Sequence, residues 1–195
     1  MSQDYILVLY HSHNGHVKKM AQFIGLGIDS SDTEIVAKLR AVPAIGSDKK
    51  QTSASDIATL DDLKNCQGLV VGSPCYFGNM AAEMKYFFDQ TTSLWLGNDL
   101  VNKPAAVYTS TGSLHGGHES TLLTMMIPLI HHGMLIVGLP YTNSELITTT
   151  SGGTPYGPSH LAGPTNSKSL DTDEKELCTA LGKRMADICH RLSSN

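Results

Sequence analysis

The chain has 195 residues, of which 41% are apolar, and 14 Lys and Arg against 18 Asp and Glu give a net charge of −4. That length and apolar content suffice for one globular domain, residues 1–195, whose core needs no disulfide or metal staple. Mild acidity without a dense basic cluster speaks against nucleic acid or an anionic membrane as partner, and no apolar run reaches the roughly 20 residues that span a bilayer.

The first apolar run, Tyr5–Tyr10, starts so near the N-terminus that no room is left for a signal peptide, and a cytoplasmic protein is expected. The four cysteines, Cys66, Cys75, Cys178 and Cys189, form no CxxC pair and read as reduced thiols. A helical pattern follows over 17–27, then a strand over 34–39, an irregular stretch over 40–55 and a helix over 58–65. Strands over 68–72, 104–109 and 135–139 alternate with helices over 80–94, 120–132 and 172–192, while 141–170 and the residues after 192 look irregular. Five strands separated by crossover-length segments predict a parallel α/β sheet. The near-continuous apolar character of the first, third and fourth strands says that helices cover both faces, as in a doubly wound fold. The 141–170 segment is rich in Gly and Pro and too long for a simple connection, so a lid or an oligomer contact is expected of it.

Ligands of such sheets sit beyond the carboxyl ends of the strands, and three polar, glycine-bearing loops fall there. The first runs through Ser12, His13, Asn14, Gly15 and His16 into a helix, where unpaired N–H groups and the positive end of the macrodipole favour an anion; it holds no Lys or Arg and lacks the GxxxxGK[ST] pattern. The second, with Pro74, Cys75, Tyr76, Phe77, Gly78 and Asn79, suits a planar ring: the aromatics flank it and Gly78 leaves backbone accessible, unless both aromatics simply pack under the next helix. The third, with Ser110, Thr111, Gly112, Ser113, Leu114, His115, Gly116 and Gly117, is dense in hydroxyls and backbone donors, or else an ordinary connection capped by Ser120.

Two histidine groups admit rival readings. His11, His13 and His16 imitate the His-x-His-x-Asp-His run of metallo-hydrolases, but Gly15 stands where the Asp belongs, and no metal site is assigned. His131 and His132 end a helix at Gly133, where a cation suits the dipole; alternatively one imidazole donates a hydrogen bond to a bound ring or its electron acceptor. Trp95, the single tryptophan, is either packing or the wall of a substrate site.

Taken in order, Ser12-x-x-Gly15-His16, Ser73-Pro74-x-x-Phe77-Gly78-Asn79-Met80, Asp89-Gln90-Thr91, Leu94-Trp95, Ser110-Thr111-Gly112, His115-Gly116-Gly117, His131-His132-Gly133-Met134 and Gly152-Gly153-Thr154-Pro155-Tyr156-Gly157 resemble the Trp-repressor-binding-protein family of FMN-dependent NAD(P)H:quinone oxidoreductases over nearly the whole chain. The resemblance implies a flavodoxin-like, five-stranded, three-layer sandwich in the order 2-1-3-4-5, FMN as cofactor, NADH or NADPH as donor, quinones as acceptors and a homodimer or homotetramer. It implies phosphate contacts at Ser12, His13, Asn14, Gly15, His16 and Val17, and ring contacts at Cys75, Tyr76 and Phe77, with Gly78 and Asn79 in the same cofactor loop. Further cofactor contacts are implied at Ser110, Thr111, Gly112, Ser113, Leu114, His115, Gly116 and His131, the last in a catalytic role. Asn14 would lie near the nicotinamide, and Trp95 would wall the acceptor site of its own or a neighbouring subunit. Two departures stand out: Asn14 replaces an aromatic residue, and Cys75-Tyr76-Phe77 replaces the family's usual Thr-Arg-Phe, whose Arg is a cation able to meet the nicotinamide phosphates or the flavin edge, so the choice between NADH and NADPH stays open. A flavodoxin-like one-electron carrier and a non-catalytic FMN-binding interaction protein are the rival functions.

Overall fold

The computed structural model describes residues 3–46 and 54–193. Strand β1 (Tyr5–Tyr10) lies parallel between β2 (Val36–Ala41) and β3 (Gly68–Pro74), and β3 pairs in turn with β4 (Pro104–Thr111). The β4 edge is shared by two short strands, β5 (Leu135–Ile136) beside Pro104 and Ala105 and β6 (Ser159–Leu161) beside Thr109 to Thr111. The order is β2-β1-β3-β4-β5, as the resemblance implied, with the outer strand built from two pieces.

Alternation along the strands assigns each apolar side chain to one of two cores. Ile6, Val8, Tyr10, Val70, Ala106 and Tyr108 face α1 (His16–Asp29) and α7 (Thr172–Ser193). Leu7, Leu9, Leu69, Val71, Ala105 and Val107 face α2 (Leu60–Lys64), α3 (Ala82–Asp89), α4 (Thr92–Leu96) and α5 (His118–His131). Helix α1 presents Val17, Met20, Ala21, Ile24 and Ile28 at helical spacing to the first core. It meets α7 backbone to backbone: a Cβ added at Gly27 would stand 2.2 Å from the Thr179 carbonyl oxygen, and one at Gly182 2.1 Å from that of Ile24. A reciprocal capping box between Thr59 and Asp62 starts α2.

Four expectations need correction. Strand β2 occupies 36–41 rather than 34–39, because its edge position allows alternation of Ala37, Leu39 and Ala41 against the core with Lys38 and Arg40, which pair outward with Asp62 at 2.6 and 3.8 Å. The helix expected over 80–94 breaks into α3 and α4 around Thr91, whose hydroxyl donates back to the Phe88 carbonyl at 2.7 Å. The fifth strand stops at Ile136, since Gly138 and Leu139 turn against Pro155, whose carbonyl accepts the Leu139 N–H at 2.9 Å. The 141–170 segment is only partly irregular: it contains α6 (Glu145–Thr148) and β6. Of the irregular 40–55 stretch, positions 40 and 41 are strand and 47–53 lie outside the described residues, as do 194–195 of the tail.

Candidate functional site

The loops after β1, β3 and β4 converge at the carboxyl edge of the sheet. After β1 the chain turns through Gly15, at φ 89°, into α1; Ser12 Oγ accepts the Lys18 N–H at 3.1 Å, which leaves the earlier first-turn N–H groups facing the loop. Gly15 is needed for its left-handed backbone rather than for space, since a Cβ there would meet nothing within 4 Å.

After β3, Tyr76 and Asn79 exchange backbone hydrogen bonds at 2.8 and 3.0 Å across Phe77 (φ 52°) and Gly78 (φ 76°), a tight turn with two left-handed central residues. Phe77 is fully exposed at its tip and Tyr76 is 45% exposed, so neither packs under the next helix. A bulky residue held at positive φ with its ring in solvent is a strained arrangement of the kind that accompanies ligand binding.

The loop after β4 is tied to the second one. Cys75 donates its N–H to Ser110 O at 3.0 Å and its thiol to Gly116 O at 3.1 Å. A Cβ added at Gly117 (φ 106°) would come within 2.9 Å of the Cys75 sulfur. Gly117, not Ser120, caps α5, and no side chain accepts there. Thr111 gives its hydroxyl proton to Ser113 O at 2.7 Å, so His118 Nε2, 2.9 Å away, must carry the proton it shares with Thr111 Oγ1; His118 Nδ1 is buried without a partner. Burial lowers the His118 pKa, opposed by Glu119 and Glu174.

A cavity of about 260 Å³ opens among the three loops, lined by Ser12, His13, Asn14, His16, Val17, Cys75, Tyr76, Ser110, Thr111 and Gly112, all anticipated, together with Pro74 and Asn166. Among the described residues, none that lines it is Lys, Arg, Asp or Glu. Gly15, Phe77, Gly78, Asn79, Ser113, Leu114, His115 and Gly116 stand in the same loops without lining the cavity.

His131 and Trp95 are elsewhere. They lie on a second cavity of about 410 Å³ with Lys85, Phe88, Asp89, Thr91, Thr92, Ile127, Pro128 and His132. It sits at the far end of the 14-residue α5, roughly 20 Å from the Gly117 cap. The Trp95 indole N–H donates to the His131 carbonyl at 3.0 Å, and the indole is 52% exposed. His132 Nε2 donates to Thr91 Oγ1 at 2.8 Å, with Nδ1 buried and unpartnered; burial and the neighbouring His131 lower its pKa.

Three further residues back the first cavity and were not singled out from sequence. His16 Nε2 donates to the Asn166 carbonyl at 2.9 Å, and its ring stacks at 4.9 Å on that of His160. His160 is paired at 2.7 Å with the Glu174 carboxylate, both side chains being all but inaccessible. Burial would raise the Glu174 pKa, but hydrogen bonds from His160, Ser151 and the Leu161 N–H outweigh it and hold the carboxyl at about 2. The spacing Asp171-x-x-Glu174, a capping box at the start of α7, was the one readable signal for this group.

Other chemistry is confined. Burial pushes the thiols of Cys66 and Cys189 up to about 11 and 12 and that of Cys178 higher still, so these three are inert as nucleophiles. Among the described residues no group of three His, Cys, Asp or Glu side chains is placed to hold a metal ion, and no helix is long and apolar enough to cross a membrane.

Comparison with known proteins adds three findings. The profile of the NADPH-dependent FMN reductases matches residues 5–147. The NAD(P)H dehydrogenase (quinone) of Syntrophobacter fumaroxidans is 35% identical, over 97% of this chain and 99% of its own. Among solved structures, a WrbA-like flavodoxin protein from Agrobacterium tumefaciens superposes with a TM-score of 0.71 at 21% identity, covering 96% of this chain and 98% of its own. Oxidised flavodoxin 2 from Bacillus cereus gives 0.63 at 18%, covering 94% and 99%. At those identities the two structures bear on the fold alone, and the fold is the flavodoxin-like α/β sandwich expected.

Proposed function

This chain belongs to the NADPH-dependent FMN reductase family, and from that premise we propose that it is a cytoplasmic FMN-dependent NAD(P)H:quinone oxidoreductase of the Trp-repressor-binding-protein kind, working as one domain over 1–195. The observation that carries the reading is the first cavity: hydroxyls of Ser12, Ser110 and Thr111 and the N-terminus of α1, with no Lys, Arg, Asp or Glu among the described residues of its walls, beside an aromatic ring held out at Phe77.

The donor set fits a mononucleotide. A phosphate at the start of α1 meets first-turn N–H groups and the Ser12 hydroxyl, and the left-handed Gly15 gives the backbone its approach. Backbone groups of Cys75 to Asn79 and of Ser110 to Gly116 meet the polar edge and side chain of the cofactor, and Tyr76 and Phe77 offer flat surfaces to its ring. Bound FMN supplies the two-electron exchange between nicotinamide and quinone. The protein's part is placement: the backbone donors of the third loop are preorganised toward the negative charge that accompanies reduction, and Asn14 stands at the mouth where a nicotinamide enters. Donor and acceptor share that one opening, so they occupy it in turn and ping-pong kinetics follow.

His131 and Trp95 reach this opening only from another copy of the chain. On α5, Leu123, Ile127 and Ile130 form an exposed apolar stripe at i, i+4 and i+7 that leads to the second cavity. We assign this face to self-association as a homotetramer, in which His131 donates a hydrogen bond to the acceptor and Trp95 walls it. The aromatic slot accepts flat quinones with little regard for substituents.

The test is spectroscopic. Anaerobic NADPH or NADH bleaches the visible flavin band of the loaded protein, and a quinone restores it. A band untouched by both nucleotides refutes the assignment and leaves the electron-carrier reading in its place.

A further inference from the structure

Glu174 and His160 lie outside the cavity, yet they organise one of its walls. The two carboxylate oxygens of Glu174 have five partners. Oε1 accepts from Ser151 Oγ at 2.7 Å, Gly152 N at 3.1 Å and Leu161 N at 2.9 Å, and Oε2 accepts from Asp171 N at 3.1 Å and faces His160 Nδ1 at 2.7 Å. The other nitrogen of His160 faces the Lys168 carbonyl at 3.2 Å. Both ring nitrogens therefore point at acceptors, which fixes the imidazole about every axis.

That fixed ring stands on β6 directly beside Ser110, one of the cavity residues. Against it rests the His16 ring, 4.9 Å between centroids and tilted by 41°. His16 is the first residue of α1, and its remaining constraint is the hydrogen bond to the carbonyl of Asn166 at 2.9 Å. Asn166 in turn closes a turn onto Gly163 at 3.0 Å with a left-handed φ of 52°. His16 and Asn166 both line the cavity, on the side where α1 begins. One buried carboxylate thus holds one buried imidazole, which holds the ring and the turn that wall the anion end.

We propose that His160, oriented by Glu174, is a positioning residue for the phosphate end of the FMN site, so that this buried pair sets the protein's preference for FMN over the same flavin without phosphate. The inference rests on the FMN reading above. Its physical basis is that a phosphate held by N–H groups and hydroxyls, with no Lys or Arg among the described residues of the cavity wall, depends on those donors being placed within a fraction of an ångström. Loosening His16 and the Asn166 turn costs the phosphate contacts and leaves the ring contacts of Tyr76 and Phe77 untouched.

The experiment is titration of the apoprotein with FMN and, separately, riboflavin, followed by quenching of flavin fluorescence. Wild type prefers FMN. In His160→Phe, which keeps an aromatic ring, somewhat larger than imidazole, but bonds to neither Glu174 nor Lys168, FMN binds at least tenfold more weakly while riboflavin changes less than twofold. Because that variant leaves a buried carboxylate short of a partner and can fail to fold, the double variant His160→Leu with Glu174→Gln, which removes the charge along with the imidazole, is titrated beside it with the same expectation. Equal weakening of both flavins, or an FMN preference unchanged in either folded variant, overturns the proposal. An apoprotein that takes up neither flavin overturns the FMN reading itself, and this inference with it.

Discussion

The two ends of α5 use the same device for opposite purposes. At each end a buried histidine donates from Nε2 to a threonine whose own proton goes to a main-chain carbonyl, and at each end Nδ1 is left without a partner: His118 with Thr111, and His132 with Thr91. Beyond His118 lie glycines, hydroxyls and a polar cavity; beyond His132 lie Trp95, Phe88, Ile127 and an open aromatic cleft. The lesson is that one histidine–threonine bond can fasten either end, at the cost of an unpaired Nδ1, and that the neighbours decide what the fastened end does. The first end closes on polar groups of its own chain, whereas the second leaves Trp95, Ile127 and Ile130 exposed.

The largest way to break the symmetry is acid, because only the cavity end is braced by Glu174. A carboxyl held at about 2, against an ordinary value near 4.5, adds on the order of 3 kcal/mol of stability that is present above about pH 4.5 and lost as the pH falls through 2. Urea unfolding between pH 6 and 3 is expected to show that loss in wild type and to show little of it in Glu174→Gln; parallel pH curves for the two proteins would refute the role given to this carboxylate. Next comes Gly15→Val, which forces a β-branched residue to φ 89° at about 1–2 kcal/mol or more. We expect FMN to bind at least tenfold more weakly by fluorescence titration, with strain in the loop rather than obstruction as the cause, since the space beside Gly15 is open. An unchanged affinity removes this loop from the phosphate site.

Trp95→Ala sharpens the contrast from the other side. FMN affinity of the dilute chain stays within twofold, while kcat/KM for a quinone falls about tenfold, or roughly 1.4 kcal/mol, and sedimentation shows weaker self-association. Loss of FMN binding with intact association contradicts the division between the two ends. The smallest effect belongs to the histidines themselves. Burial depresses both pKa values, so each neutral ring contributes stability that is full above about 6.5 and declines as the pH drops below it. Replacing His118 or His132 with Gln flattens the unfolding free energy between pH 7 and 5 by a few tenths of a kcal/mol to about 1 kcal/mol; a slope equal to wild type in both variants dismisses the device.

What the sequence disclosed follows the range of the interactions involved. Gly15, Gly78 and the run Ser110 to Ser113 mark the strand ends locally, because apolar strands give way there to glycines and hydroxyls, although β4 itself runs on two residues past the expected 109, through Ser110 and Thr111. Edge strand β2 was misplaced by two residues because Lys38 and Arg40 interrupt its apolar pattern, and they do so to meet Asp62, more than twenty positions away. The divided outer strand was invisible for a similar reason: β6 is three residues long and is defined by Thr109 to Thr111, not by itself. His160 and Asn166 gave no local sign, since one answers to Glu174 and the other to His16, 150 residues upstream. Trp95 and His131 were each legible as a residue to single out, but their meeting and their distance from the first cavity are properties of the folded chain.

One contact made away from either cavity ties together the two helices behind the first. Where Gly27 and Gly182 let α1 and α7 touch main chain to main chain, no side chain stands between the two backbones. The loop at the head of one helix and the Asp171–Glu174 cap at the head of the other are thereby joined into a single cooperative block. Amide protons along Met20–Ile28 and Leu177–Met185 should then exchange with solvent in one shared event, at the energy of global unfolding, rather than fraying helix by helix.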